Sequence, residues 1–242
     1  MGVYHITWTE GLKEICLFMN SDGGCNFSCH GCVIKFYPLD THLMLAGKSD
    51  ALKKRKILSE KEVLSYLSPL SYEKVIFLGK EPSIDKTFVP LAKILKENFS
   101  AYNIMLTNGY EFVVQNIDEV CISIKAITKE KFKNFTDVDD RKTVLENFKK
   151  YVKTGIKVRT ESVFIPNFID NDEIEKIAKF IASVDKNIPY RIDGYIPYQN
   201  DIFRAPTKEE IDESKNIAKK YLNNVTTLHK EIKVKYKVKE IY

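Results

Sequence analysis

No apolar run in this 242-residue chain nears the roughly 20 residues that a helix needs to cross a bilayer. The first residues, Met1-Gly2-Val3-Tyr4-His5, show no basic segment followed by an apolar one, so no secretion signal is read there. Linkers rich in glycine, serine or proline are missing, as are repeats and low-complexity segments. A single domain over 1–242 is therefore expected. Histidine is scarce: His5, His30, His42 and His229 are scattered, and a lone histidine is more often packed or exposed than a metal ligand. Cysteine is scarce too. Five thiols, an odd number, with no export signal argue against a disulfide framework and for a reducing, cytoplasmic setting. Neither sign of charge dominates, with 38 Lys+Arg against 33 Asp+Glu and a net charge of +5. Basic residues gather at Lys53-Lys54-Arg55-Lys56 and from Lys230 to Lys239. Such scattered lysines read as a solvated face rather than a nucleic-acid surface.

What the chain does have is a tight group of thiols. Cys25, Cys29 and Cys32 form C-x3-C-x2-C in the run Gly24-Cys25-Asn26-Phe27-Ser28-Cys29-His30-Gly31-Cys32. The run follows the apolar, strand-like stretch Ile15 to Met19. Three thiolates on one short loop can hold three irons of a cubic [4Fe–4S] cluster, leaving one iron open to a ligand that is not protein. The competing reading is a zinc site completed by His30, His42 or Cys16. Zinc sites usually pair two short knuckles across a loop, and here there is one C-x2-C and no second knuckle. Cys16 and Cys121 lie in apolar strands and read as buried thiols.

Strand and helix signals alternate along the chain. Glu14 to Met19 reads as a strand running into the cysteine loop. A capping box, Ser59-Glu60-Lys61-Glu62, opens a helix through Leu67. Lys74 to Leu78 is a second strand, and Asp85 caps a helix to about Asn98. Tyr102 to Leu106, Val120 to Ile124, Ile156 to Ile165 and Pro189 to Ile196 are further strands. Helices are expected from about Asp140 to Lys153, from Asn171 through Ser183, and from the capping box Thr207-Lys208-Glu209-Glu210 to about Leu222. The tail, Lys233 to Lys239, alternates as an edge strand. About six strand–helix units with near-continuous apolar strands predict an α/β fold with a parallel sheet. Ligand sites in such sheets gather at the C-terminal ends of the strands. The long connection from Val33 to Lys56 reads as a lid, a recognition element or a covering loop.

The cysteine spacing resembles the signature of the radical S-adenosylmethionine (radical SAM) superfamily. That resemblance implies a partial (β/α)6 barrel, with the cluster loop (20–35) at the end of the first barrel strand, a core of about 14–210 and a C-terminal helix and edge strand over 207–242. It implies a [4Fe–4S] cluster and SAM as cofactors, the open iron chelating the amino and carboxylate groups of SAM. Gly79-Lys80-Glu81-Pro82 resembles the family's Gly-Gly-Glu-Pro motif, which implies a place for Glu81 at the SAM ammonium. Lys80 stands where the family has glycine. Thr107-Asn108-Gly109 and Ser123-Ile124-Lys125 resemble segments of glycyl-radical-enzyme activases, which implies cofactor-binding roles for Asn108 and Ser123 and a catalytic one for Lys125. Arg159 resembles the activases' fifth-strand arginine, which implies a catalytic role at the site, and Phe203-Arg204-Ala205-Pro206-Thr207 resembles a late structural segment. Gly31 stands where many members carry an aromatic residue against the adenine of SAM, and in this it is similar to anaerobic ribonucleotide reductase activases.

The resemblance thus implies a radical SAM oxidoreductase that cleaves SAM reductively and takes hydrogen from a substrate. Its partners would be an electron donor, a flavodoxin or ferredoxin suited to a basic face, and a glycyl radical enzyme. Leu106 and Ser123 depart from the activase pattern, so a radical SAM enzyme acting on a small molecule or nucleoside stays open. So does a reading of another class, a zinc or iron–sulfur protein without catalysis. No second cysteine group is present for an auxiliary cluster, and no spare segment for a cobalamin domain.

Overall fold

Among the described residues, nine strands form one sheet in the order β8-β7-β6-β5-β4-β3-β2-β1-β9. The computed structural model describes residues 2–21, 24–41, 55–232 and 235–242. The strands are β1 (Val3–Thr9), β2 (Glu14–Met19), β3 (Lys74–Gly79), β4 (Tyr102–Thr107), β5 (Glu119–Ser123), β6 (Lys157–Phe164), β7 (Tyr190–Gly194), β8 (Val225–Leu228) and β9 (Lys239–Glu240). From β2 to β8 every neighbouring pair is parallel. At one edge β1 pairs antiparallel with β2, and β9 antiparallel with β1. Side chains from β2 through β6 line one cavity, so the sheet is curled, while β8 and β9 leave it unclosed. This is the expected partial barrel, with one further parallel strand, β8, and an antiparallel edge.

The described helices are α1 (Val33–Phe36), α2 (Glu60–Leu67), α3 (Phe88–Phe99), α4 (Lys129–Thr136), α5 (Arg141–Lys153), α6 (Asn171–Val184) and α7 (Lys208–Ala218). Alternation along each strand explains the layers. Ile15, Leu17 and Met19 of β2, with Val75 and Phe77 of β3, join the buried core against the helices. The intervening residues face the barrel interior. Helical spacing supplies the other side, as with Phe88, Leu91, Ala92 and Leu95 on α3 and Ile174, Ile177, Ala178 and Ile181 on α6. Both expected capping boxes are present, at Ser59/Glu62 and Thr207/Glu210.

Four expectations need correction. β1 and β8 were not foreseen, since β1 alternates His5, Thr7 and Thr9 with apolar residues and β8 has only four residues. Helix α4 was also unforeseen, because its segment Lys129-Glu130-Lys131-Phe132-Lys133 is mostly charged and only Phe132, Phe135 and Thr136 are buried. Asp85 does not cap α3. It closes a short 3-10 turn, Pro82–Ile84, and its carboxylate takes the backbone N–H of Gly2 at 3.1 Å, Ser21 at 2.9 Å and Thr87 at 2.9 Å. The tail strand is confined to Lys239–Glu240, against Thr7 and Trp8. Residues 233 and 234 of that run, His42 and most of the 33–56 connection lie outside the described residues.

Candidate metal centre

Strand β2 delivers the chain to the cysteine loop at the C-terminal mouth of the barrel. Two forces seat the loop. Phe27 is buried edge-on between Tyr110 (5.7 Å between centroids) and Phe132 (5.6 Å). The backbone N–H groups of Ser28 and His30 donate to the carbonyls of Thr136 (2.9 Å) and Phe135 (2.8 Å), at the end of α4. Those are carbonyls for which a helix has no partner of its own.

Around the loop stand groups from other strand ends. Asn108, after β4, donates through Nδ2 to Asn26 Oδ1 (2.6 Å) and to Cys25 Sγ (3.5 Å). Lys125, after β5, donates to Ser123 Oγ at 2.7 Å. Burial opposes the charge of Lys125, but Cys29, Glu161, Cys32 and Cys25 outweigh it and hold its pKa above the ordinary lysine value. Burial pushes the Cys25 thiol up to about 11, against the backbone N–H of Phe27. Burial raises Cys29 as well, with Lys125 pulling the other way.

These residues fit an iron–sulfur cluster. Half-buried thiols beside one lysine gain most from a polycation that takes them as thiolates. Donors to sulfur are at hand in Asn108 and in Asn26 Nδ2, which is buried without a partner among the described residues. Among the described residues no three His, Cys, Asp or Glu side chains converge on one metal position. His30 does not turn toward the cysteines either: its Nε2 faces Asp201 Oδ1 at 3.2 Å.

Other expected site residues fall differently. Gly79 has φ +108, and a Cβ there would come within 2.7 Å of Met19 N and O, so only glycine lets β3 close on β2. Lys80 donates to Asn20 Oδ1 at 3.0 Å, and Pro82 is buried at the start of the 3-10 turn. Glu81 is 2% exposed, and its carboxylate is committed within the protein. Oε1 accepts from Ser83 N (3.2 Å), Ser83 Oγ (2.6 Å) and Thr107 Oγ1 (2.7 Å), and Oε2 from Asn108 N (2.8 Å). Glu81 thus ties the ends of β3 and β4 together beside the cysteine loop. Arg159 is not brought to the cysteines. It is the third residue of an eight-residue strand, and it faces the opposite, N-terminal mouth, where its Nε donates to Glu119 Oε1 at 2.5 Å.

Sequence reasoning missed two groups. Inside the barrel, Arg191 bridges Glu161 Oε2 (2.7 Å) and Asp193 (Nε to Oδ1, 2.6 Å). Burial and Glu161 push the Asp193 carboxyl up to about 6. The available signal was charge at alternate positions, Arg159/Glu161 and Arg191/Asp193, in strands otherwise buried. The second group is a clasp after β7. Tyr195 donates to Asp201 Oδ2 at 2.5 Å, and Asp201 Oδ1 takes Phe203 N at 3.1 Å as well as His30. Gly31 has φ +65, and a Cβ there would collide with the Tyr195 hydroxyl.

The radical SAM superfamily profile matches residues 19–181. The chain belongs to the radical SAM superfamily. A candidate glycyl-radical enzyme activating enzyme of Methanocaldococcus jannaschii is 33% identical over 215 residues, covering 84% of this chain and 77% of that protein. Among solved structures, a radical SAM methyltransferase from Sphaerobacter thermophilus superposes with a TM-score of 0.66 at 15% identity, over 88% of this chain and 66% of that one. A domain of a pyruvate-formate lyase-activating enzyme from Bacteroides vulgatus gives 0.53 at 21% identity, over 65% of this chain and 99% of that one. At these identities the structural likenesses concern the fold, and they agree with the partial barrel. Membership of the radical SAM family implies a [4Fe–4S] cluster and SAM, and supports an enzyme. No helix among the described residues is long and apolar enough to cross a membrane.

Proposed function

We propose that this chain is a radical SAM activating enzyme whose substrate is a glycine of a partner glycyl radical enzyme. The observation that carries the reading is the 33% identity, across 84% of this chain, to the archaeal activating-enzyme relative. Cys25, Cys29 and Cys32 would hold the cluster, and SAM would bind at the iron they leave open. With both bound, the site would supply one-electron cleavage of SAM and a carbon radical that abstracts hydrogen, using an electron from a flavodoxin- or ferredoxin-type donor. The protein's own part is placement and charge. Lys125 offsets the negative charge of three thiolates. Asn108 donates to Cys25 Sγ while its backbone is fixed by Glu81. Gly79, Lys80 and Pro82 shape the turn beside the loop, and Ser123 orients Lys125.

A second reading has its own support. Glu161, Arg191 and Asp193 give the barrel interior a charged lining, which suits a small polar substrate rather than an apolar one. Both readings share the first test. Anaerobic reconstitution should yield about four irons and four sulfides per chain. Replacing Cys25, Cys29 or Cys32 by Ala should abolish the cluster's visible absorbance, while Cys16→Ala and Cys121→Ala keep it. Dithionite-reduced protein should then form 5′-deoxyadenosine from SAM. Stoichiometric zinc with no iron uptake would sink both. To separate them, the reduced enzyme is mixed with any glycyl radical enzyme that its source organism encodes. A glycyl EPR doublet supports activation, and SAM cleavage without a doublet removes it.

A further inference from the structure

A cavity of about 440 Å³ lies at the N-terminal mouth of the barrel, opposite the cysteine loop. Its rim is built from strand starts. Glu14 opens β2, Lys74 opens β3 and Tyr102 opens β4, and the three lie side by side in register. Ile104 is part of its lining, and Glu119, Lys157 and Arg159 close the far wall. The cavity therefore sets three cations against two carboxylates.

The pairing within it is uneven. Glu119 is 4% exposed and takes most of the available donors: Lys157 Nζ at 2.8 Å, Arg159 Nε at 2.5 Å and the Tyr102 hydroxyl at 3.2 Å. Arg159 spends only its Nε there. The outer edge of its guanidinium, with both terminal nitrogens, has no protein acceptor among the described residues. Lys74 likewise makes no ion pair with a described carboxylate. Glu14 stands on the same wall, its pKa raised by burial and opposed by the charges of Lys74 and Arg159. The result is a forked donor and an ammonium across one cavity, with an aromatic ring beside them.

We infer that this N-terminal cavity binds a small oxyanion, a phosphate or carboxylate group of a metabolite, held by the guanidinium edge of Arg159 and the ammonium of Lys74. A planar two-donor edge matches two oxygens of such a group, and Lys74 adds a point charge. A volume of 440 Å³ has room for more than the anion alone, so the rest of the metabolite would lie along Tyr102 and Ile104. The site is separate from the radical chemistry, since Arg159 lies toward the opposite mouth from the cysteines. It would make the barrel a two-ended protein, with its reactive centre at one mouth and a metabolite at the other.

The test uses the full chain without its cluster, so that its outcome does not depend on the proposed activation. Isothermal titration is run with pyrophosphate and, separately, with succinate, in a buffer free of other polyanions. The expected result is saturable one-to-one binding of at least one probe. Arg159→Lys keeps a cation on Glu119 but removes the fork, and Lys74→Gln removes an exposed ammonium. Each should weaken binding at least about tenfold, as loss of a forked or charged donor does. Lys61→Gln, on exposed α2, should change nothing. Circular dichroism confirms that each variant is folded. Saturation by pyrophosphate alone assigns the site to phosphoryl groups, and by succinate alone to carboxylates. No saturable binding of either probe at millimolar concentration overturns the inference. So does equal binding by the parent, Arg159→Lys and Lys74→Gln, the pattern of diffuse attraction to a basic protein.

Discussion

Replacing Glu81 by Ala would strip four donors of one buried acceptor: two from Ser83, one from Thr107 and the N–H of Asn108. Unsatisfied buried donors cost about 1–3 kcal/mol each. The variant should therefore lose about 3 kcal/mol or more of stability in urea titrations of the cluster-free chain. Glu81→Gln, which keeps the shape and one acceptor oxygen, should lose less. Full stability with only SAM affinity lost would return this carboxylate to the ligand. Asn108 behaves differently, because its side chain reaches sulfur. Hydrogen bonds to cluster sulfurs raise the reduction potential. Asn108→Ala should thus still take up iron while its reduction midpoint, followed by EPR, moves to a more negative value. An unchanged midpoint would mean that the 3.5 Å contact with Cys25 is not kept in the loaded protein.

Helix α4 matters more than its charged sequence suggests, because its C-terminal carbonyls hold the cysteine loop. Its start is pinned by a carboxylate on α6. Glu173, fully buried, accepts from Ile127 N (2.6 Å), Thr128 N (2.7 Å) and Thr128 Oγ1 (2.6 Å). Glu173→Ala should cost about 3 kcal/mol or more by the same accounting of orphaned donors. It should also speed loss of the reconstituted cluster to a chelator, measured by absorbance decay. Cluster retention equal to the parent would show that the loop does not depend on α4. This coupling was not legible in the sequence. The barrel strands were, because Leu17, Phe77 and Val120 sit in short apolar runs that hardly read as anything else. The cysteine loop was legible from spacing alone. Where the reading fell short, the deciding contact was remote in sequence, as with Glu173 to Thr128 and Glu119 to Arg159. Arg159 was misplaced for a simpler reason. The resemblance set it at the reactive site, but as the third residue of β6 it lies early on the strand, and so at the N-terminal mouth.

Across the whole molecule, buried carboxyls divide into two sets that respond to acid in opposite senses. Glu119 lies below its ordinary value of 4.5, because Lys157 and Arg159 outweigh its burial. Glu173 is also lowered, its hydrogen bonds outweighing burial. Such groups stabilise the fold above the unfolded value, and that contribution is lost as pH falls through the folded one. Asp193, raised from 3.8 to about 6, works the other way. It keeps a proton in the folded chain that the unfolded chain has lost, so its contribution is full below 3.8 and vanishes as pH rises through about 6. Urea midpoints of the cluster-free chain should therefore fall steeply below pH 4.5, through Glu119 and Glu173. Asp193→Asn should remove a decline in stability between about pH 4 and 6 that the parent shows. A parent whose pH dependence matches that of Asp193→Asn would place this carboxyl at its ordinary value.

The crowding of Gly31 by Tyr195 also has a historical side. An aromatic residue at position 31 would displace Tyr195, since any Cβ there meets the Tyr195 hydroxyl on a backbone that already disfavours it. Tyr195→Gly alone would leave a hole and take from Asp201 Oδ2 the donor it has in Tyr195. Either single step descends, and only the two together reach level ground. The two positions should thus be inherited as a pair, with lineages holding glycine and tyrosine, or an aromatic and a small residue, and few intermediates between.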